Sequence, residues 1–291
     1  MQTNRPDTQH PPRDDLINIV RMTLEEDVGS GDITAALIPA GRAATAKIIG
    51  REPGILCGTH YAEEVFSQIG LTSGNVAIDW LVGDGDEVKA GTVIASLSGS
   101  ARSILTGERS ALNILQTLSA TATTSRHYAR LVRHTKVKIL DTRKTLPALR
   151  TAQKYAVRVG GCDNHRIGLF DAFLIKENHI AACGGIAAAI QRARTLNGAL
   201  PVEIEVQTMA ELDEAIAACA DIVMLDNFDL KQTIAAVEYT AGRVKLEASG
   251  SIDDARLVEI AETGVDFISI GALTKHCRAL DLSLLFDFAK A

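Results

Sequence analysis

The second half of the chain alternates short apolar runs with amphipathic stretches. Apolar runs bounded by polar or glycine residues predict strands at 137–140, 172–175, 202–206, 222–225, 244–248 and 267–270. Between them, apolar residues at helical spacing predict helices at 185–195, 209–218, 230–240 and 252–263. This rhythm predicts a parallel sheet with crossovers of one hand, as in a barrel or a doubly wound sheet.

The first half has a different pattern. Helical spacing predicts helices at 14–27 and near 61–68, and short runs split by glycine predict strands at 47–49, 54–57, 76–82 and 92–97. The turn at 83–86 resembles the hairpin of biotinyl or lipoyl carrier domains, but no lysine stands at its tip. Thr106 is a candidate cap for a long helix, and the Ser, Thr and Ala residues at 117–125 predict a close helix contact, such as one between subunits.

Polar or glycine residues stand at the carboxyl end of almost every predicted strand in the second half. In chain order they are Asp141-Thr142-Arg143-Lys144, Lys176-Glu177-Asn178, Glu203 and Glu205, Asp226-Asn227, Ser249-Gly250-Ser251, and Gly271-Ala272. A barrel gathers such residues at one rim, whereas a doubly wound sheet concentrates its ligand at one switch point. The distribution therefore favours a barrel.

Basic side chains cluster among these strand ends. Arg143, Lys144, His165, Arg166 and Lys176 lie within about forty residues of one another, beside buried strands and glycine turns. Arginine offers a planar fork for carboxylate or phosphate, and lysine offers a point charge. The pattern indicates a site for a small polyanion; the alternative is a solvated basic loop.

The last strands and the acidic residues add two further predictions. Ser249-Gly250 and Gly271 lie where barrels commonly bind phosphate, although each glycine alone is also compatible with a simple turn. Glu205 and Asp226 are suited to ribose hydroxyls, to Mg²⁺ or to a developing positive charge. Their alternative role is to form salt bridges with Lys176 and Arg143.

Composition limits the class of protein. The 291 residues carry 46% hydrophobic residues and a net charge of −6, which argues against nucleic acid or an anionic membrane as the main partner. The five cysteines follow no disulfide or zinc pattern, so a reducing cytoplasm is expected. No apolar run is long enough for a membrane helix. Residues 1–13 are polar and proline-rich, and we expect a mobile extension there.

Several motifs in order resemble the quinolinate phosphoribosyltransferase family. They are Asp141-Thr142-Arg143-Lys144-Thr145, Gly160-Gly161 with Asn164-His165-Arg166, Leu174-Ile175-Lys176-Glu177-Asn178-His179, and Glu203-Ile204-Glu205-Val206. The likeness extends from Glu26-Asp27-Val28-Gly29 to Arg278-Ala279-Leu280-Asp281. It implies an α/β fold with an N-terminal α/β sandwich domain (14–117 with 277–291) and an incomplete (β/α) barrel (118–276).

The resemblance also implies an activity. Quinolinate and 5-phosphoribosyl-1-pyrophosphate, with Mg²⁺ as cofactor, would give nicotinate mononucleotide, pyrophosphate and carbon dioxide in NAD synthesis. The family's quinolinate-binding positions fall on Arg143, His165, Arg166 and Lys176, joined by Arg109 from the partner of a homodimer. The phosphoribosyl positions fall on Lys144, Glu205, Asp226, Ser249, Gly250 and Gly271. Lys144, Glu205 and Asp226 are the expected catalytic residues, and Glu205 and Asp226 the expected metal ligands.

Two positions depart from the family's usual pattern. Cys162 follows the Gly-Gly pair where glycine is common, and Lys275 with His276 follows Gly-Ala-Leu-Thr where some members have histidine at once. Either Lys275 or His276 is then the candidate for the phosphate end, and His276 is equally compatible with a surface position.

Three other functions fit parts of the pattern. A paralogue acting on another base would keep the phosphoribosyl residues but change the dicarboxylate set. A Schiff-base lyase would use Lys176 as its nucleophile. A nucleotide sensor on the same fold would bind without turnover.

Overall fold

The computed structural model describes residues 10–250 and 253–287. Most of the expected N-terminal extension, residues 1–9, lies outside this range. Of its last residues, Pro11 is buried and Arg13 already begins the first helix. Ser251 and residue 252 also lie outside the described part. No helix of the described residues is both long and apolar enough to cross a membrane.

The elements follow the two predicted rhythms. The helices are α1 (Arg13–Val28), α2 (Thr59–Ser73), α3 (Ala101–Leu131), α4 (Arg150–Gly160), α5 (Glu177–Cys183), α6 (Ile186–Leu196), α7 (Met209–Ala217), α8 (Leu230–Thr240), α9 (Asp254–Glu262) and α10 (Ala272–Lys275). The strands are β1 (Ala43–Gly50), β2 (Gly54–Ile55), β3 (Val76–Trp80), β4 (Glu87–Val88), β5 (Val93–Ser100), β6 (Lys138–Leu140), β7 (Phe173–Ile175), β8 (Val202–Val206), β9 (Ile222–Asp226), β10 (Lys245–Ser249), β11 (Phe267–Ser269) and β12 (Leu282–Asp287).

The chain divides into two compact units. The first contains Met1–Arg126, Thr145–Gly161 and Leu273–Ala291, and the second contains His127–Lys144 and Cys162–Ala272. The sequence-based division instead cut the chain at 117/118 and 276/277 and assigned 145–161 to the barrel. The difference arises because α4 follows β6 in the chain but packs Ala152, Tyr155 and Ala156 into the core of the first unit.

The first unit has an antiparallel sheet in the order β12-β1-β5-β3. Along β1 the side chains alternate between exposed and buried, and Ala44, Ala46 and Ile48 lie on the buried face. This alternation is the period of two that a half-buried strand requires. The buried face joins α1, α2, α3 and α4 in one hydrophobic core, so the predicted α/β sandwich is confirmed.

Helix α3 begins earlier than predicted. It starts at Ala101, directly after β5, so Thr106 lies inside the helix and is not its cap. The Thr106 hydroxyl donates to Oδ2 of Asp32 (3.0 Å). A Cβ on Gly107, in the next turn of the helix, would lie 2.6 Å from the Phe66 ring. Close packing against α2 therefore requires glycine at this position.

The small residues of α3 make close contacts within the chain. The Ser119 hydroxyl accepts from the Cys57 N–H (2.9 Å), and Thr123 Oγ1 accepts from the Ile55 N–H (2.8 Å). A Cβ on Gly160 of α4 would lie 2.4 Å from Cβ of Ser125. The predicted close helix contact is thus present between α3 and α4 of one chain.

The glycine-rich turn at 83–86 is not a hairpin. It joins β3, which pairs with β5, to β4, which pairs with β2. The Asp84 carboxylate accepts from the N–H groups of Gly58 and Thr59 (3.0 Å each) at the start of α2. It also accepts from the Tyr155 hydroxyl (2.8 Å). The turn therefore supplies the N-terminal cap of α2.

The second unit is a parallel sheet of six strands in the order β6-β11-β10-β9-β8-β7. The first strand of this unit, β6, pairs with the last, β11, and the remaining strands follow chain order. A doubly wound sheet would reverse its order at a switch point, whereas this order winds in one direction, as in a barrel. β6 and β7 lie at the two ends of the order and do not pair, so the predicted incomplete barrel is confirmed.

Replacing Asp84 with alanine is expected to lower the free energy of unfolding by about 3 kcal/mol. The change removes the cap of α2 and leaves the buried end of the Tyr155 side chain without its acceptor. Denaturant unfolding would measure the loss. Asp79→Asn, at an exposed position of β3, is the control and should change stability by less than about 0.5 kcal/mol. Equal stability of the two variants would contradict the capping role.

Candidate active site

The carboxyl ends of the parallel strands bring the predicted site residues to one edge of the second unit. Asp141 follows β6, Lys176 follows β7, Asp226 and Ser249 end β9 and β10, and Gly271 follows β11 after one residue. Asp226 and Ser249 are paired in register. Parallel strands end at a common edge, so the sequence correctly predicted which residues share it.

Asp141 fixes the loop that carries two of the predicted ligands. Its carboxylate is fully buried, and it accepts from Nδ2 of Asn164 (2.7 Å) and from the backbone N–H of His165 (2.9 Å). An isolated bridge between Leu140 and Asp163 ties the same loop to β6. The loop therefore has a defined position beside the open edge of the barrel.

His165 faces two buried carboxyl groups. Its Nε2 lies 2.8 Å from Oε2 of Glu203 and 3.6 Å from Oε2 of Glu247. The other ring nitrogen, Nδ1, accepts from the backbone N–H of Arg166 (2.8 Å), so it carries no proton. This arrangement assigns the neutral tautomer, in which Nε2–H donates to Glu203.

Glu203 and Glu247 were not among the predicted site residues. Glu203 was noted only as a strand-end residue, and Glu247 lies within the predicted strand 244–248. Both side chains are buried, on β8 and β10. A charged residue between apolar neighbours in a buried strand was the signal, because burying a charge is costly unless it is paired or protonated. The run Val202-Glu203-Ile204 carries this signal.

The environment of Glu247 favours its neutral form. Burial raises the pKa of Glu247 to about 8, and the negative charge of Glu203 adds to the increase. The proximity of the His165 ring acts in the opposite direction. Neither carboxylate oxygen of Glu247 has a hydrogen-bond partner of good geometry among the described residues.

Two arginines form the basic part of the site. Burial lowers the pKa of Arg166 from its ordinary value, and the positive charge of Arg143 lowers it further, so the two guanidinium groups repel each other. Nη1 of Arg166 donates to the carbonyl of Ala172 (3.3 Å). Nε of Arg143 is buried and has no hydrogen-bond partner among the described residues. An anion placed here would relieve the repulsion and accept the unused donor.

Lys176 and Glu205 form an ion pair across β7 and β8. The Lys176 side chain is about half exposed, at 47%, while that of Glu205 is at 13%. The alternative role considered for Glu205, a salt bridge to Lys176, is therefore present in the structure. Glu205 pairs in register with Met224, two residues before Asp226, so the Glu205 and Asp226 side chains project from the same face of the sheet.

The loops that suit a phosphate group follow β6, β9, β10 and β11. A Cβ on Gly271 would lie 3.0 Å from Cδ and 3.8 Å from Nζ of Lys144, so the lysine runs directly past the glycine. Gly250 has a φ of +139° and lies beside the side-chain amide of Asn227. That amide donates from Nδ2 to Oδ2 of Asp226 (3.0 Å). Backbone N–H groups and a lysine at one edge suit a phosphorylated ligand.

Of the remaining predicted residues, Arg109, Lys275 and His276 belong to the first unit and Cys162 belongs to the second. Arg109 is an exposed residue of α3, and Lys275 and His276 are exposed at and after the end of α10. Cys162 is buried at the start of the His165 loop, and burial raises the pKa of its thiol to about 12. All five cysteines of the chain are free thiols.

Known proteins resemble this chain over nearly its whole length. A family model described as quinolinate phosphoribosyl transferase, N-terminal domain, matches residues 32–119, and its C-terminal counterpart matches 121–285. The chain is 43% identical over 260 residues to a probable nicotinate-nucleotide pyrophosphorylase (carboxylating) from Bacillus subtilis (strain 168), covering 89% of both chains. Over 270 residues it is 41% identical to the corresponding enzyme of Mycobacterium leprae (strain TN), covering 91% of this chain and 95% of that protein. The structure of the nicotinate-nucleotide pyrophosphorylase from Francisella tularensis superposes with a TM-score of 0.92 at 51% identity, covering 98% of this chain and 100% of that one.

Replacing Asp141 with asparagine is expected to lower the free energy of unfolding by about 2 kcal/mol and to loosen the His165 loop. An amide NH₂ would then face either the N–H of His165 or the amide of Asn164, donor against donor. Denaturant unfolding and amide hydrogen exchange at 163–167 would measure both effects. Asp163→Asn in the same loop is the control, because it removes only an exposed ion pair with Lys138. Unchanged exchange in Asp141→Asn would contradict the assigned role.

Proposed function

Because the chain belongs to the quinolinate phosphoribosyltransferase family, we propose that the carboxyl edge of its parallel sheet binds quinolinate and 5-phosphoribosyl-1-pyrophosphate side by side. The enzyme transfers the phosphoribosyl group to quinolinate with decarboxylation, giving nicotinate mononucleotide, pyrophosphate and carbon dioxide in NAD biosynthesis. The assignment of individual residues to these steps is our proposal.

The repulsion between Arg143 and Arg166 is the observation that carries the quinolinate assignment. Quinolinate has two carboxylates on adjacent ring carbons, and two guanidinium groups close enough for their charges to interact match that double negative charge. Lys176 and His165 complete the set at the neighbouring strand end. We assign the unused Nε donor of Arg143 to one of the substrate carboxylates.

The phosphoribosyl subsite lies with the glycine loops and the acidic strand ends. Lys144 beside Gly271, and Ser249 with Gly250, offer a cation and backbone donors to the phosphate groups. Glu205 and Asp226 offer carboxylates to the ribose. Lys176 of the quinolinate subsite pairs with Glu205 of the phosphoribosyl subsite, so the pyridine nitrogen and the ribose carbon would meet near β8, which carries Glu205.

The proposed chemistry is displacement with an oxocarbenium-like transition state. Departure of pyrophosphate leaves positive charge on the ribose, which the carboxylates of Glu205 and Asp226 stabilise, while Lys144 neutralises the leaving group. The pyridine nitrogen then bonds to the ribose carbon. The resulting cationic ring accepts the electron pair as the 2-carboxylate leaves, and a proton replaces it. The protein contributes positioning and electrostatics.

Glu205 and Asp226 fit a Mg²⁺ ion. Their side chains supply hard oxygen donors from one face of neighbouring strands, and one or two carboxylates together with substrate phosphates are the usual ligands of this ion. When bound, Mg²⁺ would neutralise charge on the pyrophosphate group. Lys176 holds Glu205 in its absence, so we propose that Glu205 exchanges Lys176 for the substrate complex.

We propose a homodimer in which Arg109 completes the site of the partner subunit. Arg109 is exposed on α3, and no acidic partner of its guanidinium is found among the described residues, which suits a group that binds outside its own chain. We further propose a cytoplasmic location, in keeping with five free cysteines.

The alternative functions receive less support from the site. A Schiff-base lyase needs Lys176 as an available nucleophile, but Nζ of Lys176 is paired with the Glu205 carboxylate. A paralogue that acts on a base without two carboxylates would not need Arg143 and Arg166, whose positive charges repel each other in the absence of an anion. A sensor would bind both substrates without turnover, and a product assay separates it from an enzyme.

Replacing Arg143 with alanine is expected to weaken quinolinate binding by about 10- to 100-fold, because one charge-assisted bond is lost. Binding of 5-phosphoribosyl-1-pyrophosphate should stay within about twofold. Titration calorimetry measures both affinities. Lys144→Ala is the matched variant and should show the opposite selectivity. Equal losses of both ligands in Arg143→Ala would contradict the separate subsites.

Mixing Arg109→Ala with Lys176→Ala is expected to restore about a quarter of wild-type activity after subunit exchange, because hybrid dimers hold one intact site. Turnover of quinolinate with Mg²⁺ is the measurement. Lys144→Ala mixed with Lys176→Ala is the control: both residues belong to the same subunit's site, so each site keeps one defect and no recovery is expected. Equal behaviour of the two mixtures would contradict the shared site.

A further inference from the structure

A buried cluster joins one residue of the proposed quinolinate subsite, His165, to two carboxyl groups that the chemistry proposed above does not use. It contains His165 from the loop between α4 and β7, Glu203 on β8 and Glu247 on β10, and Ser269 on β11 lies beside Glu247. Ligand atoms of the first three lie within 4.8 Å of one another. The Glu203 charge also acts on Arg166, so the cluster lies within electrostatic range of the proposed quinolinate subsite.

The charges of this cluster do not balance if both carboxyl groups are ionised. His165 is neutral in the observed arrangement, because its Nδ1 accepts an N–H bond. Glu203 has one oxygen, and Glu247 two, without a hydrogen-bond partner of good geometry among the described residues. Two uncompensated negative charges in a dry site are strongly unfavourable, so one carboxyl group must hold a proton or the cluster must hold a cation.

The geometry favours the proton over a metal ion. The 2.8 Å separation of His165 Nε2 and Glu203 Oε2 is a hydrogen-bond distance. Two ligands at about 2.1 Å from one ion are normally about 3 Å or more apart. A metal at Nε2 would also require a proton on Nδ1, but that nitrogen accepts the Arg166 N–H instead of donating.

We propose that Glu247 is a specificity-determining residue for the dicarboxylate: it is held as an uncharged carboxylic acid beside Glu203 and His165, and its ionisation weakens quinolinate binding. The inference rests on the proposed assignment of quinolinate to Arg143 and Arg166. With Glu247 neutral, Glu203 is the one member of the cluster whose negative charge acts on Arg166, and the site retains net positive charge for a dianion. Ionised Glu247 would add a second negative charge and reduce that attraction.

The groups that face Glu247 agree with this assignment. Burial and the Glu203 carboxylate both disfavour its charged form, while His165 and the Ser269 hydroxyl favour it to a smaller extent. The balance leaves its pKa at about 8, within reach of a pH titration of the folded enzyme. Glu203 makes the shorter contact with His165 and is the member of the pair that carries the charge.

The test compares the wild-type enzyme with Glu247→Gln, which has the shape of the protonated acid but cannot ionise. Between pH 6 and 9.5, KM for quinolinate in the wild type is expected to be flat and then to rise up to about tenfold per pH unit above the pKa of Glu247. Glu247→Gln should remain flat, and KM for 5-phosphoribosyl-1-pyrophosphate should not show this difference between the two enzymes. Glu259→Gln, at an exposed position of α9, is the matched control and should follow the wild type. The same rise in Glu247→Gln, or no rise in the wild type, would overturn the proposal.

A second readout does not depend on activity. A carboxyl group whose pKa is raised by folding lowers stability progressively as pH rises from the unfolded pKa to the folded pKa. The thermal midpoint of Glu247→Gln minus that of the wild type should therefore increase between pH 5 and 8 and stay constant at higher pH. A constant difference would overturn the buried acid. If the thermal midpoints follow this pattern but the wild-type protein does not turn over quinolinate, the proposed function is overturned and the buried acid is not.

Metal analysis completes the test: one equivalent of zinc or manganese in the wild type, lost in Glu247→Gln, would overturn the proton assignment.

Discussion

Acidic side chains buried in the parallel sheet fix the positions of the basic side chains at its edge. Asp141 holds the backbone of the loop that carries His165 and Arg166, and Glu203 orients the His165 ring. Lys176 is held by Glu205 on the adjacent strand. His165, Arg166 and Lys176 are thereby tied, directly or through the loop, to carboxyl groups that solvent screens poorly. Interactions of this kind lose less strength in salt than exposed pairs, so the site keeps its arrangement before a ligand arrives.

This arrangement depends on how the barrel winds. β11 pairs with β6, which brings Gly271 beside Lys144 although more than a hundred residues separate them in the chain. β9 and β10 pair in register, which aligns Asp226 with Ser249. The barrel stays open between β6 and β7, and the loop that bears His165 and Arg166 runs between these two strands. The residues proposed for quinolinate therefore cluster around the opening, and those proposed for phosphates lie around the paired strands.

Much of this could be predicted from the sequence because it depends on local periodicity. The bounds of β8 and α8 agree with the prediction. The bounds of the other barrel strands differ from the predicted ones by no more than one residue at either end. The polar strand ends follow from the same pattern. Features that depend on distant contacts were missed. Position 107 of α3 requires glycine because Phe66 of α2 packs directly against it, and residues 145–161 join the first unit because α4 buries its apolar side chains there. The hydrogen bonds of Asp84 could not be predicted either, because their donors, Gly58 and Tyr155, are distant from Asp84 in the chain.

The most informative omission was the pair of buried carboxyl groups. Strands of a parallel sheet are buried on both faces and are recognised as continuous hydrophobic runs. A single glutamate within such a run is therefore easily dismissed as a break in the pattern. In the folded chain, Glu203 and Glu205 share a face of β8 because they are two residues apart, and Glu247 reaches the same cluster from β10. One strand thus carries an acid that orients the histidine and an acid that pairs with the lysine. A site for dianions requires excess positive charge, but an unbalanced cluster of cations would disrupt the free protein. Buried acids placed below the cations, one of them neutral, satisfy both requirements at once.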